Sequence, residues 1–316
     1  MQWIMAPMAG VSDSVFRRIV RRTGADVTVS EMVSSRGIHY KDAKTGLLMA
    51  ASPAEHPFLI QIFGNDPSLM AEAARAAEAA GADGVDINMG CPMPKIVNNG
   101  DGGALMKDPA LAARVTEAAA GAVKIPVSVK FRAGWDEEHR NAPAFARILE
   151  QSGAASLCLH PRTVRQLYTG KADPAIFAEA AKTVHIPLIY SGDIKDLASA
   201  KTALAAGASS LMIGRAAMGD PWIFRRLAAE LRGETPERIG AERRMAAALC
   251  HARLLCAQKG ERTGVSESRK FAAFYVRGIP DAAAVRNAVC RAEKLDTLEE
   301  IFSRYLTREW TEEEIF

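Results

Sequence analysis

The chain has few cysteines, and none in the arrangements by which cysteine usually builds structure. Cys91, Cys158, Cys250, Cys256 and Cys290 are odd in number and show no CxxC spacing. Neither a disulfide framework nor a zinc site is implied, and no metal is expected. No apolar run approaches the roughly 18 residues of a membrane span. No basic segment with a cleavage site opens the chain; Met1-Gln-Trp-Ile-Met-Ala-Pro7 passes almost directly into a strand. A cytoplasmic protein with reduced thiols is expected, without membrane association and with no obligate protein partner implied. Also missing is a Gly-x-Gly-x-x-Gly after the first strand, which counts against a dinucleotide-binding doubly wound sheet.

Charge is nearly balanced, at a formal +3, so its distribution says more than its sum. Residues 236–308 hold 14 Lys+Arg against 9 Asp+Glu, whereas residues 1–235 hold 26 against 24. A basic C-terminal segment on a near-neutral body points to a polyanionic partner, although a solvated helix face is an equal reading.

What is present is regular punctuation. Gly-Ala pairs at 24–25, 81–82, 153–154 and 207–208 precede apolar runs, and Pro57, Pro126 and Pro187 precede alternating ones. Together with Ile4-Met-Ala-Pro-Met8 these give eight short strands, each glycine closing a preceding helix as its C′ residue. Ala-rich helical stretches lie between, such as 68–80, 109–122 and 198–206. Eight strands each followed by a helix over 4–232 is the pattern of an α/β fold of the (β/α)8 TIM barrel type. After Gly233 the pattern becomes helical only, over 241–259, 266–277, 282–293 and 295–305. The sequence therefore divides into a barrel over 1–235 and a small C-terminal helical domain over 236–316.

Chemistry in such a barrel sits at the C-terminal strand ends. The sequence places there Pro7-Met8-Ala9, Gln61, Asn88 with Cys91, Lys130 with Arg132, His160 with Arg162, Ser191-Gly192-Asp193 and Gly214-Arg215. Gln61 and Lys130 occupy strand positions where an apolar residue is the default, so they face a polar cavity or carry an expensive burial. Each residue alone has an ordinary explanation; their gathering at one mouth does not. The stretch Asp86-Ile-Asn-Met-Gly-Cys-Pro92 ends a strand in a turn and a Gly- and Asn-rich loop to Ala104, which places Cys91 for access rather than packing. Ser191-Gly-Asp and Ile213-Gly-Arg let backbone N–H groups approach an anion, with Arg215 adding charge. The residues alone thus describe a phosphorylated ligand over a barrel mouth, flanked by Lys130, Gln61 and His160, with a thiol opposite.

Ala6-Pro-Met-Ala-Gly-Val-Ser-Asp13, Asn88-Met-Gly-Cys-Pro92, Lys130-Phe-Arg-Ala-Gly-Trp135, His160-Pro-Arg-Thr163, Gly192-Asp-Ile194 and Met212-Ile-Gly-Arg-Ala216 resemble the tRNA-dihydrouridine synthase family. Arg269-Lys270, Tyr275 and Arg277-Gly-Ile-Pro280 resemble the C-terminal helices of its bacterial B-like branch. The resemblance covers nearly the whole chain and implies an FMN-containing barrel that reduces a uridine of the tRNA D-loop, with NADPH or NADH as reductant. Carried over, Pro7, Met8 and Ala9 pack around the flavin, Gln61 bonds its edge, Lys130 faces the side where negative charge develops, and His160 contacts flavin or phosphate. Ser191, Gly192, Asp193, Gly214 and Arg215 hold the phosphate, while Asn88 meets the uracil edge. Cys91 becomes the general acid, since an unperturbed thiol is mostly protonated at neutral pH. Arg162, Lys270, Arg277 and Arg286 are implied substrate contacts.

Two positions depart from the family pattern: Pro161 replaces a glycine and Ser191 an asparagine. Two other readings compete. One is a flavin barrel reducing a free pyrimidine or other small activated alkene without RNA. The other is a non-catalytic tRNA-binding or folding protein.

Overall fold

The computed structural model describes residues 1–316, the side chain of Lys44 excepted. Nine strands form one parallel sheet: β1 (Trp3–Met5), β2 (Val27–Val29), β3 (Val33–Ser34), β4 (Phe58–Phe63), β5 (Gly84–Met89), β6 (Val127–Arg132), β7 (Ser156–His160), β8 (Leu188–Ser191) and β9 (Ser210–Ile213). Their order is β2-β1-β9-β8-β7-β6-β5-β4-β3, and a β2–β4 pairing closes the circle. The fold is the expected TIM barrel.

The ninth strand is half of an eighth position. Val29 pairs with Leu59 and Val33 with Ile62, so β2 and β3 both lie along β4. Four residue steps on one side face three on the other, which is the count of a β-bulge. Periodicity alone reads this position as the single run Val27–Ser30.

The glycines behave as their spacing predicts. Gly24, Gly81, Gly153 and Gly207 have φ of 106°, 87°, 93° and 96°, a region open to glycine at low cost just past a helix end. The apolar part of the barrel interior is a cluster of Ile4, Ala6, Val27, Val29, Cys158, Ile189 and Met212.

The Gly- and Asn-rich loop after β5 is more ordered than its composition suggests. It winds into a helical turn, Pro94–Val97, and a 3-10 helix, Gly102–Lys107. Pro94 occupies the first helical position, where its missing N–H costs nothing.

The chain divides into two compact units. The first comprises residues 1–14 and 25–214; the second comprises 15–24 and 215–316. Within the second unit the helices Ile223–Leu231, Ala241–Lys259, Glu261–Tyr275, Ala282–Arg291 and Leu295–Ser303 follow one another. Residues 15–24 join them: the Phe16 ring stacks on His251 at 5.7 Å and meets Phe271 at 5.2 Å. The helix expected from Ser266 begins five residues earlier, at Glu261. Gly264, inside this helix, allows two helix backbones to touch. A Cβ there would lie 2.4 Å from the Cys256 amide nitrogen.

Candidate active site

The inward-facing polar side chains form one hydrogen-bonded chain. Gln61, Asp86 and Ser128 occupy a single register row across β4, β5 and β6. Gln61 Nε2 donates to Asp86 Oδ2 at 2.6 Å, and Ser128 Oγ donates to Asp86 Oδ1 at 2.6 Å. One row further up, Asn88 Nδ2 donates to Gln61 Oε1 at 2.9 Å. Asn88 Oδ1 then accepts from the backbone N–H groups of Gly90 (3.1 Å) and Cys91 (2.8 Å). Gln61 is fully buried, and a buried amide left without partners costs about 1–3 kcal/mol. Burial pushes the Asp86 carboxyl up to about 6, against the opposing pull of the Ser128 and Gln61 hydrogen bonds and the Lys130 charge.

The strand-end loop seats Cys91. Its carbonyl accepts from the Gly103 N–H at 3.0 Å. A Cβ on Gly103 would meet Val164 at 2.8 Å and the Cys91 carbonyl at 2.9 Å, so this glycine is required for close backbone approach. Burial raises the Cys91 thiol above its ordinary value, with the Met93 backbone and the Arg132 charge acting the other way. The sulfur is thus held as a thiol at neutral pH, suited to giving a proton and unsuited to nucleophilic attack.

Lys130 follows Ser128 on the same face of β6 and pairs in register with Asn88 and Cys158. It is half-buried, and among the described residues its ammonium has no hydrogen-bond partner. A half-buried ammonium without a hydrogen-bond partner can hold an anionic or electron-rich group. Pro7 and Met8 are half-buried and Ala9 is exposed. A Cβ on Gly214 would contact Ala6 and Met8 at 3.4 Å. Ser191 is buried, and Gly192 lies against the His160 ring.

Two buried arginines have roles that only the fold reveals. Arg132 Nε donates to the Gly90 carbonyl at 2.9 Å, and its Nη1 reaches the carbonyls of Thr163 at 2.9 Å and Leu167 at 2.7 Å. It thereby ties the Cys91 turn to the loop after β7. Arg162, expected on the substrate, is turned inward and only 2% exposed. It forms a bidentate pair with Asp193 (2.9 and 2.6 Å) and donates to the Thr169 and Gly170 carbonyls at 3.0 and 2.8 Å. Its remaining contact is His160 Nε2, at 3.3 Å. With every N–H engaged inside the protein, Arg162 has no donor left for a ligand. Asp193, expected at a phosphate, spends its carboxylate on Arg162 and on the Ala172 N–H. An ionised carboxylate repels phosphate, so this carboxylate acts on the loop and not on an anion.

Asn88 is also engaged: besides Gln61, its amide donates to Met32 Sδ at 3.1 Å. Sequence reasoning misses Asp86, although an acidic residue inside the run Val85-Asp-Ile carries the same signal that singles out Gln61 and Lys130. Among the described residues, no group of three His, Cys, Asp or Glu could hold a metal. Among the described residues, no helix is long and apolar enough to cross a membrane.

In the second unit Lys270, Arg277 and Arg286 are exposed. The Arg277 guanidinium lies 4.2 Å over the Phe274 ring. Arg215 begins a short 3-10 helix in this unit and is exposed. A cavity of about 930 Å³ lies among residues 246–315. Its lining cations Arg253 and Arg308 are paired with Glu299 and Glu314.

The chain is similar to known proteins along nearly its whole length. The family model for dihydrouridine synthases (Dus) matches residues 4–309. A probable tRNA-dihydrouridine synthase of Rickettsia bellii is 40% identical over 90% of this chain and 89% of its own. The tRNA-dihydrouridine synthase B of Pseudomonas aeruginosa is 39% identical over 93% and 89%. Among solved structures, a variant of NCR from Zymomonas mobilis matches with a TM-score of 0.53 at 21% identity, over 75% of this chain and 89% of that one. A morphinone reductase mutant matches with the same score at 15% identity, over 75% and 88%; both likenesses speak to the barrel. With nearly its whole length matched, the chain belongs to the dihydrouridine synthase family.

Proposed function

We propose that the protein is a flavin-dependent tRNA-dihydrouridine synthase that reduces the C5=C6 bond of a D-loop uridine, with Cys91 as the proton donor. The observation that carries this reading is a thiol kept protonated by burial and a half-buried ammonium without a hydrogen-bond partner, carried at the ends of adjacent strands. FMN held there, reloaded by NADPH or NADH, would supply hydride to C6 of the uracil. Lys130 would hold the electron-rich edge of the cofactor, since a fixed ammonium in a dry site stabilises negative charge without reorganising. Gln61, oriented by Asp86, would bond the ring edge, and Pro7, Met8 and Ala9 would pack beside it. The Ser191 hydroxyl and the backbone at Gly192 and Gly214 would meet the phosphate, with His160 near it.

Cys91 protonates C5, the carbon next to the one that receives hydride. Its role is general acid catalysis, worth roughly 10²–10⁴-fold. Asn88 meets the uracil edge by redirecting the N–H now on Met32, because a thioether is a weak acceptor and yields easily. Arg162 and Asp193 brace the loop after β7 so that His160 keeps its place. The target uridine must leave its stack to reach this depth, which demands a grip on the surrounding phosphates. The exposed Lys270, Arg277 and Arg286 of the helical segment supply it.

Incubation of unmodified tRNA with the protein and NADPH, followed by nucleoside mass spectrometry, tests the reading. Dihydrouridine in the tRNA is expected. A yellow protein that oxidises NADPH and reduces free uracil but leaves every tRNA unchanged would replace this reading with a small-molecule reductase.

A further inference from the structure

The chain of hydrogen bonds beneath Cys91 runs in one direction only. At its upper end stand the backbone N–H groups of Gly90 and Cys91, which can only donate. They require the oxygen of the Asn88 amide, which turns its nitrogen to Gln61. That in turn requires the oxygen of the Gln61 amide, which turns its nitrogen downward. The chain closes only if the last group is an acceptor. Asp86 is that group: one carboxylate oxygen takes the Gln61 N–H and the other takes the Ser128 hydroxyl. Each of the four side chains is at least nine-tenths buried, so water does not stand in for a missing link.

We propose that Asp86 is a positioning residue that sets the polarity of this chain, and through Gln61 and Asn88 holds the Cys91 turn in its seat. The inference rests on the reading of Cys91 as the proton donor and extends it two residues deeper into the barrel. What the chain needs from Asp86 is an acceptor facing Gln61, more than a charge. The neutral amide of Asn can supply it, because the Ser128 hydroxyl accepts as readily as it donates. A leucine of similar size cannot. Gln61 would then turn its oxygen or nitrogen in search of a partner, and the Asn88 amide would follow. The N–H groups of Gly90 and Cys91 would lose the oxygen that pins them. Burial pushes the Asp86 carboxyl up only to about 6, so it is still largely ionised at neutral pH and both of its oxygens accept.

The test reads Cys91 directly. The purified holoenzyme and its Asp86→Asn and Asp86→Leu variants are pulsed with iodoacetamide, and modification of Cys91 is followed by peptide mass spectrometry. Cys91 is only 8% exposed in the native fold, so slow reaction is the baseline. Asp86→Leu is expected to react at least about tenfold faster at Cys91, on the scale of a lost buried hydrogen-bond link. Asp86→Asn is expected to stay within about twofold of the native chain, a rescue that a general packing role for Asp86 does not predict. If Asp86→Leu does not accumulate folded, Gln61→Met cuts the chain one link nearer the turn and must show the same acceleration. Equal protection of Cys91 in a folded Asp86→Leu or Gln61→Met protein would overturn the proposal, as would exposure in Asp86→Asn equal to that in Asp86→Leu. No tRNA enters this assay. A native chain that makes no dihydrouridine yet shows the Leu–Asn contrast would refute the reading of the site and uphold the chain; normal dihydrouridine without the contrast would do the reverse.

Discussion

The arginines at the barrel mouth and those on the C-terminal helices are the same residue put to opposite uses. Arg132 and Arg162 are buried and spend their N–H groups on loop carbonyls and on one carboxylate. Arg277, Arg286 and Arg291 are exposed. The planar fork of guanidinium suits both tasks, since it matches a pair of internal oxygens as well as it matches phosphate. The difference lies in what the charge costs. A buried guanidinium must be fully paired and then becomes a structural rivet; an exposed one costs little and stays available to a polyanion. Basic residues near a proposed site therefore divide by burial, and only the exposed set is suited to holding RNA.

The contrast can be broken first at Arg162. Arg162→Ala removes a buried guanidinium that holds the Thr169 and Gly170 carbonyls and the part-exposed Asp193 carboxylate, so it should lower unfolding stability by about 2–3 kcal/mol. Arg162→Lys should recover only part of it, because a point charge cannot span both Asp193 oxygens. Urea titration measures both. A loss below about 1 kcal/mol in Arg162→Ala would remove the distinction between rivet and handle.

A smaller effect is expected at Asp86, and its sign depends on pH. Burial raises this carboxyl from 3.8 to about 6, so between those values the folded state binds the proton more tightly than the unfolded chain. Stability contributed by this group therefore increases as pH falls through about 6 and levels off below 3.8. At higher pH the ionised form costs on the order of 3 kcal/mol. Asp86→Asn removes that cost: at pH about 8 it should be more stable than the native chain by roughly 1–3 kcal/mol, an advantage that closes on acidification. Thermal melts across pH check it, and an advantage that instead widens in acid would show the assigned direction to be wrong.

The smallest change in fold stability is expected in the helical segment. Arg277→Ala and Arg286→Ala should each stay within about 0.5 kcal/mol of the native chain. Each should nonetheless reduce the slope of log affinity for tRNA against log salt by about one. Filter binding at several salt concentrations reads this, and unchanged slopes would return these residues to an ordinary solvated face.

The barrel is legible in the sequence because its signals are local: a glycine past each helix, a proline or Gly-Ala pair before each strand, and polar residues at strand ends. The roles of those polar residues are only half legible. Gln61, Lys130 and Cys91 stand out because each is the wrong residue for its position. Asp86 carries the same signal but hides inside an apolar run. Arg162 cannot be assigned from sequence, since its partners lie at Thr169, Gly170 and Asp193, and burial is a property of the fold. Gly264 is illegible for the same reason: its close approach to the Cys256 backbone is made by the fold and not by its neighbours in sequence.

The central claim is that Cys91 gives the proton. In a two-step experiment NADPH first reduces the protein-bound flavin, and unmodified tRNA is then added to reoxidise it. Cys91→Ala should be reduced by NADPH at the native rate and should transfer to tRNA at least about 10²-fold more slowly. Native rates in both steps would contradict the account and leave the proton to another donor.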